Sequence, residues 1–300
     1  MAHEKYVKHT QAQEALARIE LCRKSTRRMR EPQGLLIIGE PGVGKTMSLE
    51  QYCSHYPAIQ SEDGTVRPVV RMTLPPRARI KSVQTELLRA LGDPKPDFGT
   101  IPTQTNKLYT LLKACRVELL ILDETQHLYD RERSHSILQL VVDWLKTLIE
   151  ETRIPVVLAG IPVARDILDH DRQLARRFSS IYEIRPFTPV DDKSVKEYRR
   201  FVRGIEKAWT GRSTDLANGD TFRRVHAATD GFPSDIAKLV AMAHDLATQP
   251  GGNGIITDDE LAKAFKLYIG FSNARPTNPF DTPIATLKRW QCFKGTALMV

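Results

Sequence analysis

The octapeptide GEPGVGKT, Gly39 to Thr46, constrains this chain more than any other feature. It lies between a short apolar run, Leu35, Leu36, Ile37 and Ile38, and a stretch from Lys45 to Tyr56 with helical patterning. A continuous apolar run of that length fits a strand buried on both faces, which needs helices on either side of a parallel sheet. The octapeptide matches GxxxxGK[ST] in its required setting, after a strand and before a helix. Gly39, Gly42 and Gly44 let the backbone curl so that successive N–H groups face one centre, and the helix start adds its positive end. Phosphate oxygens suit such a cradle, so the loop is expected to hold ATP through Glu40, Pro41, Gly42, Val43, Gly44, Lys45, Thr46 and Met47. Lys45 is expected to reach the β and γ phosphates, and the Thr46 hydroxyl to coordinate Mg2+.

Further strands are predicted at Pro68–Thr73, Glu118–Asp123, Ile154–Ala159 and Ile181–Ile184. Helical patterns separate them at Ile80–Leu91, Gln104–Cys115 and Ser134–Glu150, where Ile137, Val141, Trp144, Leu145 and Leu148 share one face. Strands alternating with helices imply βαβ units and a mostly parallel five-stranded sheet. Ala12, Leu16 and Ile19 set a leading amphipathic helix that ends in Arg23, Lys24, Arg27, Arg28 and Arg30. Pro186 and Pro189 interrupt the alternation, and helical periodicity alone follows at Lys193–Lys207, Asp220–Thr229, Ser234–Thr248 and Thr257–Tyr268. The expected organisation is an N-terminal helix over 1–33, a P-loop α/β subdomain over 34–187, a small helical lid over 188–270 and an extended tail over 271–300. Within the tail, TNPFD at Thr277 to Asp281 fits either an extended segment docking a partner protein or packing against the lid.

The 300 residues suffice for one substantial core with a smaller attached domain. No apolar run approaches the roughly 18 residues that cross a bilayer, and the start MAHEKYVKHT is polar, so a cytoplasmic protein without a membrane partner is expected. Cys22, Cys53, Cys115 and Cys292 form no CxxC pair, against both a zinc site and a disulfide framework. The net charge of +8 points to a polyanionic partner beyond one nucleotide.

A second feature, an acidic one, belongs with the phosphate loop. ELLILDE ends an apolar strand in Asp123 and Glu124 and resembles a Walker B element. Asp123 would hold the metal and Glu124 would activate the attacking water. With the P-loop, this pair resembles the AAA+ ATPases. That likeness would put a γ-phosphate-sensing polar residue at the end of the next strand, where VVLAGIP offers Ala159 and Gly160. It would put an arginine near the start of a lid helix, where Ser234 stands, with Lys238 one turn on. In DRQLARRFSS, Arg172, Arg176 and Arg177 precede the fifth strand, as does the arginine finger that reaches a neighbouring subunit's nucleotide; Arg176 and Arg177 are equal candidates, beside a plain solvated basic face. Incomplete sensors imply slow, partner-stimulated hydrolysis.

LLIIGEPGVGKTMSLEQY, LLILDETQHL, IPVVLAGIPVARDIL and DRQLARRF together resemble the TniB and TnsC family of transposition regulators, over roughly Thr10 to Thr248. Asp123, Glu124, His127, Gly160, Gln173, Leu174, Arg177 and Phe178 match its pattern. A lone histidine in the place of His127 also fits a structural hydrogen-bonding role. The resemblance implies a homo-oligomer, ring or filament, that assembles on double-stranded DNA with ATP. It also implies recruitment of a transposase under a target selector of the TniQ or TnsD type, with hydrolysis driving disassembly. PPRARIKS offers Arg77, Arg79 and Lys81 in a proline-started turn, and Asn106 with Lys107 is expected to open the next helix; these fit sequence-tolerant grip on DNA phosphates or an exposed basic loop. A protein-remodelling or secretion-associated AAA+ ATPase that does not touch DNA is the alternative. A replication-initiator-like loader fits less well, because the stretch after Thr248 is short for a winged helix.

Overall fold

The computed structural model describes residues 6–27, 31–62, 64–128, 135–169, 171–209, 215–270 and 277–287. Arg28, Arg30, Ser134 and Cys292 lie outside the described residues, as does the tail from Ser272 to Pro276 and beyond Leu287. The chain divides into two compact units, one of Ala12–Pro41 and Lys45–Ile184, the other of Met1–Gln11, Gly42–Gly44 and Arg185–Val300.

The first unit runs α1 (Thr10–Arg23), β1 (Leu35–Ile38), α2 (Lys45–Ser54), β2 (Ile59–Ser61), β3 (Gly64–Val66), β4 (Val69–Thr73), α3 (Ile80–Leu91), α4 (Ile101–Ala114), β5 (Leu119–Asp123), α5 (His135–Thr152), β6 (Val156–Gly160), α6 (Asp166–Asp169), α7 (Arg172–Arg177) and β7 (Ser180–Glu183). The five-stranded sheet has the order β4-β5-β6-β1-β7, with every neighbouring pair parallel. β1, β5 and β6 are buried at every position, as continuous apolar strands between helical layers must be. The strand order brings the C-terminal ends of β1 and β5 to either side of β6, and this end of a parallel sheet is where an open α/β fold holds its ligand.

Helix α5 buries Val141, Leu145 and Leu148, with Trp144 half-buried against the same core. Helices α3 and α4 pack through a reciprocal amide pair. Buried Gln84 donates to Thr105 Oγ1 at 2.6 Å, and buried Gln104 donates to Thr85 Oγ1 at 3.1 Å and to the Pro96 carbonyl at 2.8 Å. At the end of α1, Glu20 accepts from Tyr52 at 2.6 Å and Tyr56 at 2.9 Å and pairs with Arg23 and Lys24, each at 2.8 Å. Burial alone would raise the Glu20 carboxyl, but these donors hold it well below the usual carboxylate range. The basic cluster is thus partly spent on the fold.

Three local expectations are corrected. α4 starts at Ile101, not Gln104, because Thr100 caps it and Pro102 sits where no intrahelical N–H is needed. Asn106 and Lys107 therefore lie inside the helix and do not open it. The antiparallel β2–β3 hairpin was not expected, since three exposed residues such as Ile59–Ser61 carry no apolar pattern. β7 covers Ser180–Glu183, and Ile184 follows it with its N–H on the Ile38 carbonyl at 2.8 Å.

The second unit contains α8 (Asp192–Trp209), α9 (Gly219–Thr229), α10 (Pro233–Ala247) and α11 (Asp258–Ala264), which a π turn at Phe265–Ile269 extends. Its core stacks Phe187, Tyr198, Phe201 and Phe222. His9 enters edge-on against Phe187 and Phe201, each at 5.4 Å, and burial lowers its pKa to about 4 against the opposing pull of Glu197. Thr277 to Asp281 packs against the helices of its own unit, as the second of its two expected alternatives has it. Asn278 donates to the Ala262 carbonyl at 3.1 Å, Phe280 is buried, and Arg224 donates to the Phe280 and Thr282 carbonyls at 3.2 and 2.7 Å. The stretch from Asn278 to Thr282 is held because these buried groups find their partners within the unit.

Candidate functional site

The phosphate loop leaves β1 and enters α2. Gly42 and Gly44 have φ of +88° and +95°, a region that a side-chain-bearing residue adopts only with strain. Around Gly44 there is open space, so backbone conformation, not crowding, requires the glycine. Glu40 and Pro41 are exposed, Met47 is half-buried and Val43 is fully buried, so Val43 anchors the loop and offers only its backbone outward. Lys45 is buried, and its Nζ donates to the carbonyls of Gly39 at 2.7 Å and Glu40 at 3.1 Å. Burial lowers its pKa, and the charges of Glu124, Asp123 and Glu40 act in the opposite direction. The ammonium is thus held at the loop by neutral carbonyls, weaker partners than phosphate oxygens.

Strand β5 carries Asp123 to the same place. Its Oδ2 accepts from the Thr46 hydroxyl at 3.1 Å, and its Oδ1 accepts from the Glu124 N–H at 2.9 Å. Two hard oxygen donors therefore converge from the loop helix and the strand end, a set that fits Mg2+. The carboxylate is 1% exposed, and its charge is balanced by Arg71 of β4, whose guanidinium lies 3.0 Å from Oδ2 and 3.1 Å from Glu50. Arg71 was missed in the sequence. The available signal was a charge in the middle of VVRMT on the same face as Thr73, which pairs with Asp123.

Glu124 has φ of +59°, which is strained for a residue with a long side chain. Its Oε2 accepts from the side-chain amide of Gln126, whose own oxygen accepts from the Ile161 N–H at 3.2 Å. A Cβ on Gly160 would lie 2.7 Å from both Gln126 Oε1 and Thr125 Oγ1. The glycine at the end of β6 thus makes room for a polar side chain arriving from β5, a second feature that the sequence reading missed. His127 is half-buried on the 3-10 turn Thr125–Leu128.

The segment QLARRF folds as α7. Asp171 caps it, accepting from Gln173 and Leu174 N–H groups at 2.8 Å each, and is held by Lys146 at 2.9 Å. Leu174 and Phe178 are core residues, and the Phe178 ring fills the place where Gly34 would carry a side chain, 2.5 Å from its Cβ position. Arg177 pairs with Glu150 of α5, while Arg172, Gln173 and Arg176 are exposed. The two finger candidates are therefore no longer equivalent. Ser234 follows Pro233 at the start of α10, and Lys238 lies one turn on.

Arg77, Arg79 and Lys81 are exposed around an open concavity of about 530 Å³, lined also by Pro75, Pro76, Ser82, Thr85 and Glu86. Arg77 has φ of +56°, and Ser82 Oγ accepts from the Arg79 N–H at 2.8 Å, so the Ser82 side chain fixes the junction of the turn with α3. Lys107 pairs with Asp93 at 2.6 Å and donates to the Lys95 carbonyl at 3.0 Å, bracing the loop before α4; Asn106 is exposed beside it.

A strand–P-loop–helix and an acidic strand end, with the single strand β6 inserted between β1 and β5 in the order β4-β5-β6-β1-β7, define an AAA+ P-loop ATPase. Residues 1–185 match the model of the family described as Bacterial TniB protein, and the chain belongs to that family of transposition-related ATPases. Solved structures of similar fold include the Aeropyrum pernix ORC1 protein in complex with DNA, at 16% identity and a TM-score of 0.61, covering 88% of this chain and 66% of that one. The Aeropyrum pernix ORC2 protein with ADPNP and ADP matches at 14% and 0.61, covering 87% and 70%, and its ADP form at 16% and 0.58, covering 88% and 71%. The chain spans just under two thirds of the ORC1 protein, and at these identities the likeness is one of fold. No curated protein matches the sequence. Among the described residues no helix is long and apolar enough to cross a membrane.

Proposed function

We propose that this chain is a nucleotide-controlled switch that assembles on duplex DNA and marks it for a transposase, with hydrolysis of ATP releasing the assembly. The observation that carries the reading is the convergence of Lys45, Thr46, Asp123 and Glu124 on one sheet end in a TniB-family chain. Lys45 exchanges the Gly39 and Glu40 carbonyls for the β and γ phosphates. Thr46 and Asp123 would hold Mg2+, which supplies charge neutralisation at the phosphate oxygens. Glu124 takes a proton from water as the water oxygen bonds to the γ-phosphorus; the bond from that phosphorus to the β–γ bridging oxygen breaks, and ADP leaves with that electron pair.

Arg176, exposed on α7, serves as the residue that reaches a neighbouring subunit's nucleotide, and the Glu150-paired Arg177 stays within its own subunit. Arg77, Arg79 and Lys81 grip DNA phosphates without reading bases, with Asn106 as an auxiliary contact and Lys107 as the brace of its loop. The partners are a homo-oligomer, duplex DNA, a transposase subunit and a target selector of the TniQ or TnsD type, in the cytoplasm. Electron microscopy of the protein with duplex DNA tests the reading: ordered assemblies should form with ATP and persist in Glu124→Gln, and assemblies indifferent to nucleotide would refute it.

A further inference from the structure

We propose that Gln126 is a positioning residue for hydrolysis, an inference that rests on Glu124 being the general base. The Gln126 amide nitrogen donates to Glu124 Oε2 while its oxygen accepts from the Ile161 N–H at 3.2 Å, so one side chain joins the base to the backbone that leaves β6. Glu124 needs such a restraint. Its φ of +59° puts it in a sparsely populated conformation that persists only where its surroundings hold it.

The surroundings are built around this bridge. Gly160 leaves no room for a Cβ, which would stand 2.7 Å from Gln126 Oε1, and the neighbouring Thr125 hydroxyl fastens the same turn to the Ala159 carbonyl at 2.8 Å. Ile161 opens the segment Pro162–Arg165 that continues through α6 to α7 and Arg176. Gln126 therefore connects the carboxylate that works on water to the start of the segment bearing the subunit-bridging arginine. A shift in that segment changes the direction in which Glu124 points. A base misplaced by about an ångström loses on the order of a hundredfold in rate, so a lost tether acts on turnover before it acts on binding.

The test is steady-state ATP hydrolysis by Gln126→Met and Gln126→Glu, with nucleotide affinity and thermal midpoint measured alongside. Met keeps the length of the side chain beside Gly160 and removes the amide; Glu restores an acceptor for Ile161 but turns an oxygen toward Glu124. Both variants are expected to lose about tenfold or more in kcat with KM within about twofold of the parent. Recovery of parental kcat by Gln126→Glu would assign Gln126 a merely structural link to Ile161 and overturn the proposal, as would a Gln126→Met variant with unchanged kcat. Glu124→Gln separates the two levels. Normal hydrolysis by that variant removes the underlying reading, whereas a dead Glu124→Gln beside a fully active Gln126→Met removes this inference alone.

Discussion

The phosphate loop and the basic turn at Arg77–Lys81 both gather charge in the α/β unit, yet they do so in opposite ways. Around the loop, Lys45 and Asp123 are buried, and each already has a partner in the protein: carbonyls for the lysine, Arg71 and Thr46 for the aspartate. Around the turn, Arg77, Arg79 and Lys81 stand in solvent along an open concavity. Burial makes every member of the first group depend on the others, because an uncompensated charge there is costly. Exposure makes each charge of the second group matter less, because water and salt screen it. Single changes should therefore be severe in the first region and incremental in the second.

The largest effect is expected at Glu124. Glu124→Gln should retain ATP binding and lose roughly 10²–10⁴-fold in hydrolysis, the usual contribution of a positioned base; a single-turnover assay with labelled ATP measures it, and unchanged turnover removes Glu124 from the chemistry. Arg71→Ala comes next. It leaves the 1%-exposed Asp123 carboxylate without its counter-ion, so denaturant unfolding should show a loss of about 3–5 kcal/mol. A loss near zero would mean that the aspartate finds other compensation.

Burial sets a pH dependence in the helical unit as well. The His9 pKa is lowered from 6.5 to about 4, so between those values the unfolded chain binds the extra proton. The stabilisation is complete above pH 6.5 and is lost as pH falls through about 4, on the order of 3 kcal/mol in all. His9→Phe should flatten that part of the stability profile; an unchanged slope between pH 6.5 and 4 would show that other groups produce it.

The smallest effects belong to the basic turn. Arg77→Ala and Arg79→Ala should each weaken duplex DNA binding by several-fold at any sequence and reduce the salt slope by about one. Loss at one sequence only would mean base readout in place of phosphate grip.

The same contrast explains what could be read from the residues alone. Leu35–Ile38, GEPGVGKT and the acidic end of β5 were legible because burial and phosphate chemistry admit few residue types at fixed spacing. The parallel order of the sheet followed from the alternation of apolar runs and helical patterns. Arg71 and Gln126 were not legible. Their roles come from strand register and from a gap left by Gly160, both of which arise only when distant segments pair. The early start of α4 hid behind Pro102, which looks like a breaker but is tolerated in a first turn. The short hairpin strands β2 and β3 had no periodic signal to give.

In the proposed switch, nucleotide held by the buried group controls what the exposed group grips. Co-sedimentation with duplex DNA, in ATP analogue, ADP or no nucleotide across a salt series, tests it most directly. Tight binding is expected with the non-hydrolysable analogue, weakening steeply as salt rises, with little binding in ADP or without nucleotide. Binding of equal strength in all three states, or none in any, would contradict it.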